Sequence, residues 1–426
     1  MDSRTKALCD FLDASHSVYH AQAYLAETLK NAGYTRLYEQ DEWALIPGGK
    51  YFLTRGGSAL MAFRVPKESP KGFLMSASHS DRPTFKVKEN FDLAAAYTRM
   101  AVERYGGMLI APWLDRPLSV AGRVTVETET GVETKLLDID RDLLLIPNVA
   151  IHMNRQANEG YKWNPAVDTL PLVGGAGAAG KLPALLEQEA GGKILGHDLY
   201  LYIRQKASVW GVDGEYISAA ALDDLECAWG CTQGFLKSGD SASVPVLCVF
   251  DSEEVGSVSP QGAGSSLLED TLGRICDSLK LHRGRMLAQS FLVSADNAHA
   301  VHPNHPEYAD PGNAPVMGGG LVIKYNANLS YCTDSVSAGV FRKICGRAGV
   351  RVQTYHNRAD LPGGSTLGRI SLAHVSIPTV DIGLAQLAMH SCYETAAVSD
   401  AIDLENAMAA YYGATLEATQ TGFVIR

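Results

Sequence analysis

Short, largely apolar runs, several followed at once by a cluster of ionisable residues, constrain this chain more than any other feature. GFLMSAS at 72–78 leads straight into His79-Ser80-Asp81, and the run at 244–250 leads into Asp251-Ser252-Glu253-Glu254. Further strand candidates lie at 290–295, 320–325, 351–356 and 378–382. Short runs without polar alternation suit strands buried on both faces, as in parallel sheets. Helix-period patterns fill the intervals: 334–348, with Thr333 as N-cap and Gly349 behind it, and a last helix from about Ser399 to Thr419. Alternating strand and helix predicts an α/β fold built on a mostly parallel sheet flanked by helices. Residues 5–32 read as two more helices, the second ended by Gly33, and 51–64 as two strands around a turn at Gly56-Gly57.

That rhythm breaks between about residues 86 and 218. VTVET, TKLLDID and LYLYIR are strand-like, turn signals separate them, and long helical patterns are scarce. The simplest organisation is one α/β domain, formed by 1–85 and 219–426, interrupted by a β-rich insertion at 86–218.

Charge narrows the function. Lys plus Arg is 37 and Asp plus Glu is 47, so the formal net charge is 37 − 47 = −10. An acidic surface repels phosphate backbones, which argues against nucleic-acid binding. Apolar runs such as Leu143 to Ile146 fall far short of the ~20 residues a membrane-spanning helix needs. The N-terminus shows neither a basic nor an apolar signal segment, and the eight cysteines are scattered. The expected location is therefore the reducing cytoplasm. Cys227 and Cys231 lack a second pair with which to hold structural zinc.

The ionisable clusters carry the chemistry. Besides the two above, they are Leu222-Asp223-Asp224, Ser294-Ala295-Asp296-Asn297 and Ala388-Met389-His390-Ser391. In open α/β sheets ligands bind at the carboxyl ends of strands. Each cluster alone has an ordinary use: a Glu pair as solvated surface, an Asp pair as a helix cap. Together, histidines and carboxylates at strand ends make a ligand set for a pair of divalent ions, Zn²⁺ or else Mn²⁺ or Co²⁺. Glu253 and Glu254 can divide the roles of general base and ligand. Asp81, two residues after His79, can accept the free imidazole N–H and orient the ring.

SASHSDRPTFKVKEN, ALDDLECAWG, FDSEEVGS, SADNAHAVHPNHPEY, GGGLVIKYNANLSYCTDSVSAGVF and DIGLAQLAMHS closely resemble, in order and over nearly the whole chain, the M18 metalloaminopeptidases, the aspartyl aminopeptidase family. The resemblance implies a zinc-exopeptidase-like fold and a co-catalytic di-zinc enzyme that removes N-terminal residues from peptides. His79, Asp223, Glu254, Asp296 and His390 match the metal ligands. Asp223 bridges, His79 and Asp296 complete one shell, and Glu254 and His390 complete the other. Glu253 is the general base on a water bridging the ions, and Asp81 holds His79. The insertion becomes a dimerisation domain, and the subunits assemble into tetrahedral dodecamers. IPNVAIHMNR resembles the segment that sends a histidine, here His152, into a neighbouring active site to support an oxyanion. Lys324 matches a lysine that pairs with acidic side chains, and Tyr331 and Gly364 match further pocket positions. Preference for N-terminal Asp or Glu follows. Two departures bear on it: NANLSYCTD stands where the family reads close to NANQRYATD, so Leu329 and Ser330 remove a positive charge. Ser252 stands where Asn is usual.

The alternatives are a related zinc deacylase or carboxypeptidase, a non-catalytic oligomeric shell, and a nucleotide-binding enzyme. The last rests only on the glycine run 175–180 with Asp198, which Pro171 and its place in the insertion speak against. The prolines among His299, His302 and His305 keep those rings from forming a helical metal tract.

Overall fold

The computed structural model describes residues 1–361 and 363–426. Among them, nine strands form the main sheet, in the order Thr35–Arg36, Lys50–Arg55, Ala59–Arg64, Val244–Phe250, Phe73–His79, Phe291–Ala295, Thr379–Gly383, Leu321–Tyr325, Val352–His356. Val244–Phe250, Phe73–His79, Phe291–Ala295 and Thr379–Gly383 are mutually parallel and buried along their whole length. Antiparallel pairs appear only to either side of this centre. Largely apolar runs thus sit where both faces are covered.

The pleat sends alternate residues to opposite layers. In Val244–Phe250, Val246, Cys248 and Phe250 join one core, and Leu247 and Val249 join the other. The second core is covered by helices Ser3–Ala14, Val18–Asn31, Leu222–Lys237, Ser335–Ala348 and Val398–Gly413, and the first by Leu267–Ser278 and smaller helices.

Residues 84–203 build a separate six-stranded sheet, antiparallel throughout, with a core around Phe85, Met100, Val120, Leu199 and Leu201 and a helix, Lys181–Ala190, packed on it. Arg123 ties this sheet to the α/β part. Its guanidinium donates to Asp198 Oδ2 (2.7 Å) and to the Gly56 carbonyl (2.5 Å), and it lies over the Tyr19 ring. Strands Ser208–Trp210 and Tyr216–Ala219 leave the insertion and pair instead into a small sheet with Glu394–Ala397 and Ala385–Leu387.

Two sequence expectations need correction. The cap of Ser335–Ala348 is Asp334, in a reciprocal capping box with Ser337, because the Thr333 hydroxyl is turned to the Asp381 backbone. The last helix ends at Gly413, not near Thr419. The chain beyond folds into a hairpin, Leu416–Thr419 with Gly422–Ile425. The glycine run does join a strand, Leu172–Gly175, to a helix. The strand is antiparallel and half-exposed, and the Asp92 carboxylate already accepts from Gly180 N–H (2.6 Å) at the helix start. Asp198 is engaged by Lys86 and Arg123.

Helices Leu222–Lys237 and Val398–Gly413 approach closely at Gly234, where an added β-carbon would lie 2.5 Å from Met408 Cβ and 2.8 Å from the Glu405 carbonyl oxygen. Exposed Gly339 in Ser335–Ala348 meets nothing within 4 Å. Gly339→Ala is expected to stabilise the protein by up to about 1 kcal/mol through helix propensity. Gly234→Ala meets an overpacking cost of about 1–3 kcal/mol that outweighs the same gain. Urea midpoints of the two variants should move in opposite directions.

Candidate metal centre

The parallel strands deliver the ionisable clusters to one edge. Phe73–His79 ends on His79, with Asp81 just beyond. Val244–Phe250 runs into Asp251, Glu253 and Glu254, and Phe291–Ala295 into Asp296. Asp223 opens helix Leu222–Lys237, and His390 follows the short strand Ala385–Leu387. Ala221, Ser252 and His390 hold left-handed backbone conformations (φ +57°, +63° and +67°), strain of the kind that gathers at functional sites. Ser252 does so where the family pattern has Asn, the residue that tolerates this region better.

The side chains converge. Donor atoms of His79, Asp223 and Asp296 all lie within 4.8 Å of one another, and so do those of Asp223, Glu254 and His390. Asp223 belongs to both groups and offers a different oxygen to each. Its Oδ1 is 3.6 Å from His79 Nε2, and its Oδ2 is 3.5 Å from His390 Nε2. Glu254 Oε2 lies 3.3 Å from His390 Nε2.

A second layer of carboxylates holds these groups. Asp81 accepts the backbone N–H of Glu253 and of Glu254, each at 3.1 Å, and its Oδ1 is 3.3 Å from His79 Nδ1. The same ring nitrogen is 3.2 Å from the Asp81 carbonyl, so Asp81 fixes the imidazole with both its main chain and its side chain. Sequence reasoning missed Glu394. It is buried, and its two oxygens accept the N–H of His390 (2.7 Å) and of Asp223 (3.0 Å), clamping two of the loops together. It also missed Tyr105, whose hydroxyl donates to Asp81 Oδ2 at 2.7 Å. Nothing local in the sequence separates either residue from an ordinary surface glutamate or strand tyrosine.

The electrostatics are those of crowded acids. Burial first, then Asp296, Asp81 and Asp223, push the Glu253 carboxyl up to about 8. Burial and Asp223 push Glu394 up to about 8, and burial raises Glu254 and Asp224 well above the carboxylate range. Burial opposes protonation of His79, yet its hydrogen bond to Asp81 and the charges of Asp224, Asp81 and Glu253 outweigh it and raise the imidazole well above its usual value.

Other sequence candidates fall in different places. Lys324 is no surface lysine: it is 2% exposed and donates to the carbonyls of Asp296 (2.6 Å) and Asn297 (3.1 Å), with Asp296 Oδ1 at 3.7 Å. Tyr331 is buried beside it, the ammonium 5.1 Å from the ring centroid. Gly364 lies on an exposed loop stretch, after a glycine that packs against Asn357. His152 is exposed on the loop at 147–164 and is not drawn into the cluster within this chain. His302 and His305 have ring centroids 5.3 Å apart, and His299 stands edge-on to Tyr355, so the three do not converge.

Whether divalent ions suit these residues can be judged from the donors themselves. Asp223 Oδ1 and Glu254 Oε1 are buried oxygens that accept no hydrogen bond among the described residues. Buried acceptors are normally satisfied. Asp223 Oδ1 lies 3.6 Å from His79 Nε2, and Glu254 shares the other donor group with Asp223 and His390, so the carboxylates sit among imidazoles in the mixed donor set that zinc prefers. The cluster fits the ions.

Fold and donor set together define a metallohydrolase built on an open α/β sheet. The sequence matches the Aminopeptidase I zinc metalloprotease (M18) family over residues 11–412. It is 41% identical over 423 residues to Probable M18 family aminopeptidase 2 of Clostridium acetobutylicum, covering 96% of this chain and 98% of that protein. It is 40% identical to the protein of that name from Pseudomonas putida, with the same coverage. Its fold is similar to a cryo-EM structure of the Ape4 and Nbr1 complex (TM-score 0.93, 35% identity, 96% of this chain and 85% of that one). The chain belongs to the M18 family: it is an aminopeptidase of the metalloprotease class, a peptide hydrolase.

Glu394→Ala removes the acceptor shared by two loops while leaving every candidate metal ligand in place. Zinc affinity, read by competition with a chromophoric chelator, should fall roughly tenfold or more. Unchanged affinity would mean that the loops hold their positions without it.

Proposed function

We propose that the cluster holds two divalent ions, most suitably zinc with manganese or cobalt as substitutes, and that the protein is a co-catalytic aminopeptidase acting on peptides with a free N-terminus. The observation that supports this most is the sharing of Asp223 between two donor groups, one oxygen turned to each. His79 and Asp296 complete one group, and Glu254 and His390 the other. Ions held there supply Lewis acidity to a carbonyl oxygen and acidify water.

The chain's own residues do the rest. Glu253, its affinity for protons raised by burial among acids, removes a proton from the attacking water and delivers it to the departing amine. Its neighbour Glu254 is committed to the donor group, so the pair divides base from ligand. The surrounding carboxylates favour a substrate with a terminal ammonium, which confines cleavage to the first residue. His152 enters from a neighbouring subunit and stabilises the oxyanion.

Acidic preference is assigned to Lys324. An ammonium has three donors and two are spent on carbonyls, which leaves one for a substrate carboxylate beside Tyr331, with the Gly364 loop closing the pocket. Leu329 and Ser330 add no charge there, so the preference is narrower than strict. The inserted sheet at 84–203 is assigned to dimerisation, between catalytic segments that take strands Ser208–Trp210 and Tyr216–Ala219 into their own small sheet, and dimers build a dodecamer. The eight free cysteines suit a reducing cytoplasm.

Glu253→Ala should abolish turnover while metal content stays near that of the parent; retained turnover would remove Glu253 as base. His152→Phe should lower kcat roughly a hundredfold with assembly intact, and an unchanged rate would remove its oxyanion role. On X-p-nitroanilides with X as Asp, Glu, Leu, Ala, Lys and Arg, chelator-sensitive release should be fastest for Asp and Glu. Faster release of neutral residues would keep the aminopeptidase and discard the acidic pocket.

A further inference from the structure

The stretch 105–109, where the inserted sheet turns back toward the catalytic part, runs along one side of the donor cluster, past Asp81, Glu254 and His390. Tyr105 ends the strand Tyr97–Tyr105 and pairs with Thr84, the first residue of Thr84–Leu93. Thr84 lies three residues after Asp81, so the antiparallel register sets the phenol beside the loop that carries Asp81. Slipping the register by one residue would turn the ring to the opposite face. Gly106 has φ +74°, and a β-carbon on it would lie 3.2 Å from Glu254 Cβ and 3.4 Å from the Glu254 carbonyl oxygen. One on Gly107 would lie 3.9 Å from His390 Nδ1, and Leu109 N–H donates to the His390 carbonyl at 3.0 Å.

From these contacts we infer that the stretch 105–109 is a clamp through which the inserted sheet fixes the geometry of the metal centre, with Tyr105 as its positioning residue. The inference rests on reading the cluster as that centre. Asp81 carries the effect. Its carboxylate meets the His79 ring, the N–H groups of Glu253 and Glu254, and the Tyr105 hydroxyl. Asp81 is 3% exposed, so solvent has little access to replace the phenol. Without the hydroxyl, Oδ2 keeps only the Glu254 N–H. The carboxylate is then free to rotate, and the orientation of His79 and of the Glu253-Glu254 turn loosens with it. Tyr105 touches no reacting atom. Its loss therefore acts on metal affinity and on the chemical step, and leaves substrate binding largely as it was.

The test is Tyr105→Phe in the full-length, zinc-reconstituted protein, with Tyr200→Phe as control. Tyr200 stacks edge-on against Tyr105 at 5.7 Å but makes no hydrogen bond to Asp81. Zinc dissociation constants are read by chelator competition, kcat and KM on the best nitroanilide, and folding by Tm. The expected result for Tyr105→Phe is zinc binding weakened roughly tenfold and kcat lowered roughly tenfold, with KM within about twofold and a folded Tm. Tyr200→Phe should match the parent. Gly106→Ala, which crowds Glu254 from the same stretch, should reproduce the loss of zinc affinity. Parent-like zinc affinity and kcat in Tyr105→Phe, or equal losses in Tyr200→Phe, would overturn the clamp. A parent protein that binds no zinc would overturn the metal reading and the clamp with it. A zinc-binding parent with an unaffected Tyr105→Phe variant would overturn the clamp alone.

Discussion

Everything in this molecule answers to a buried excess of carboxylate. Asp81, Asp223, Asp224, Glu253, Glu254, Asp296 and Glu394 are packed at one edge of the main sheet, with His79, His299, His390, Lys324 and Arg82 as the basic groups beside them. Charge is costly in a medium that cannot solvate it, and like charges crowded together raise one another's proton affinity. The raised carboxyls of Glu253, Glu254 and Glu394 record that pressure. A fold carries such a cluster only if hydrogen bonds or cations compensate it; the architecture supplies the hydrogen bonds and, in the proposed function, a place for the cations.

Parallel strands supply the placement. Their carboxyl ends bring residues far apart in sequence to one rim, with the apolar runs that precede them locked between two cores. Backbone amides then supply much of the compensation. Those of Glu253 and Glu254 are donated to Asp81, that of His79 to Asp224, and those of Asp223 and His390 to Glu394. The loops are thereby cross-linked through carboxylates that stand behind the metal donors. Oxygens of Asp223, Asp224 and Glu254 remain without a hydrogen bond among the described residues, and Asp223 and Glu254 are the two of these that belong to the proposed donor groups.

Much of this was legible in the sequence. Strand positions such as 244–250 could be read because both-face burial forces unbroken apolar runs, and the ionisable residues after them mark the strand ends. His79, Glu254 and Asp296 are tied to such landmarks, whereas Asp223, which opens a helix, and His390, which follows a short strand, were legible as ligands through the family resemblance; all five converge. Glu394 and Tyr105 were illegible for the opposite reason: their roles arise from pairing between distant segments, and neither follows a strand-end signature. The hairpin after Gly413 was missed because Leu416 and its neighbours keep an apolar spacing compatible with a helix. The environment of Lys324 was equally hidden. A single lysine at the end of an apolar run looks like a snorkelling surface residue until the loop at Asp296 closes over it.

The central claim is that the carboxylate excess is balanced by a pair of divalent ions. Elemental analysis by inductively coupled plasma mass spectrometry tests it most directly, on protein purified without chelator and passed through a desalting column. The account predicts two equivalents of divalent metal per subunit, falling to near zero together with activity after exhaustive chelation and returning together on adding zinc. Full activity in protein that retains less than a tenth of an equivalent would contradict it.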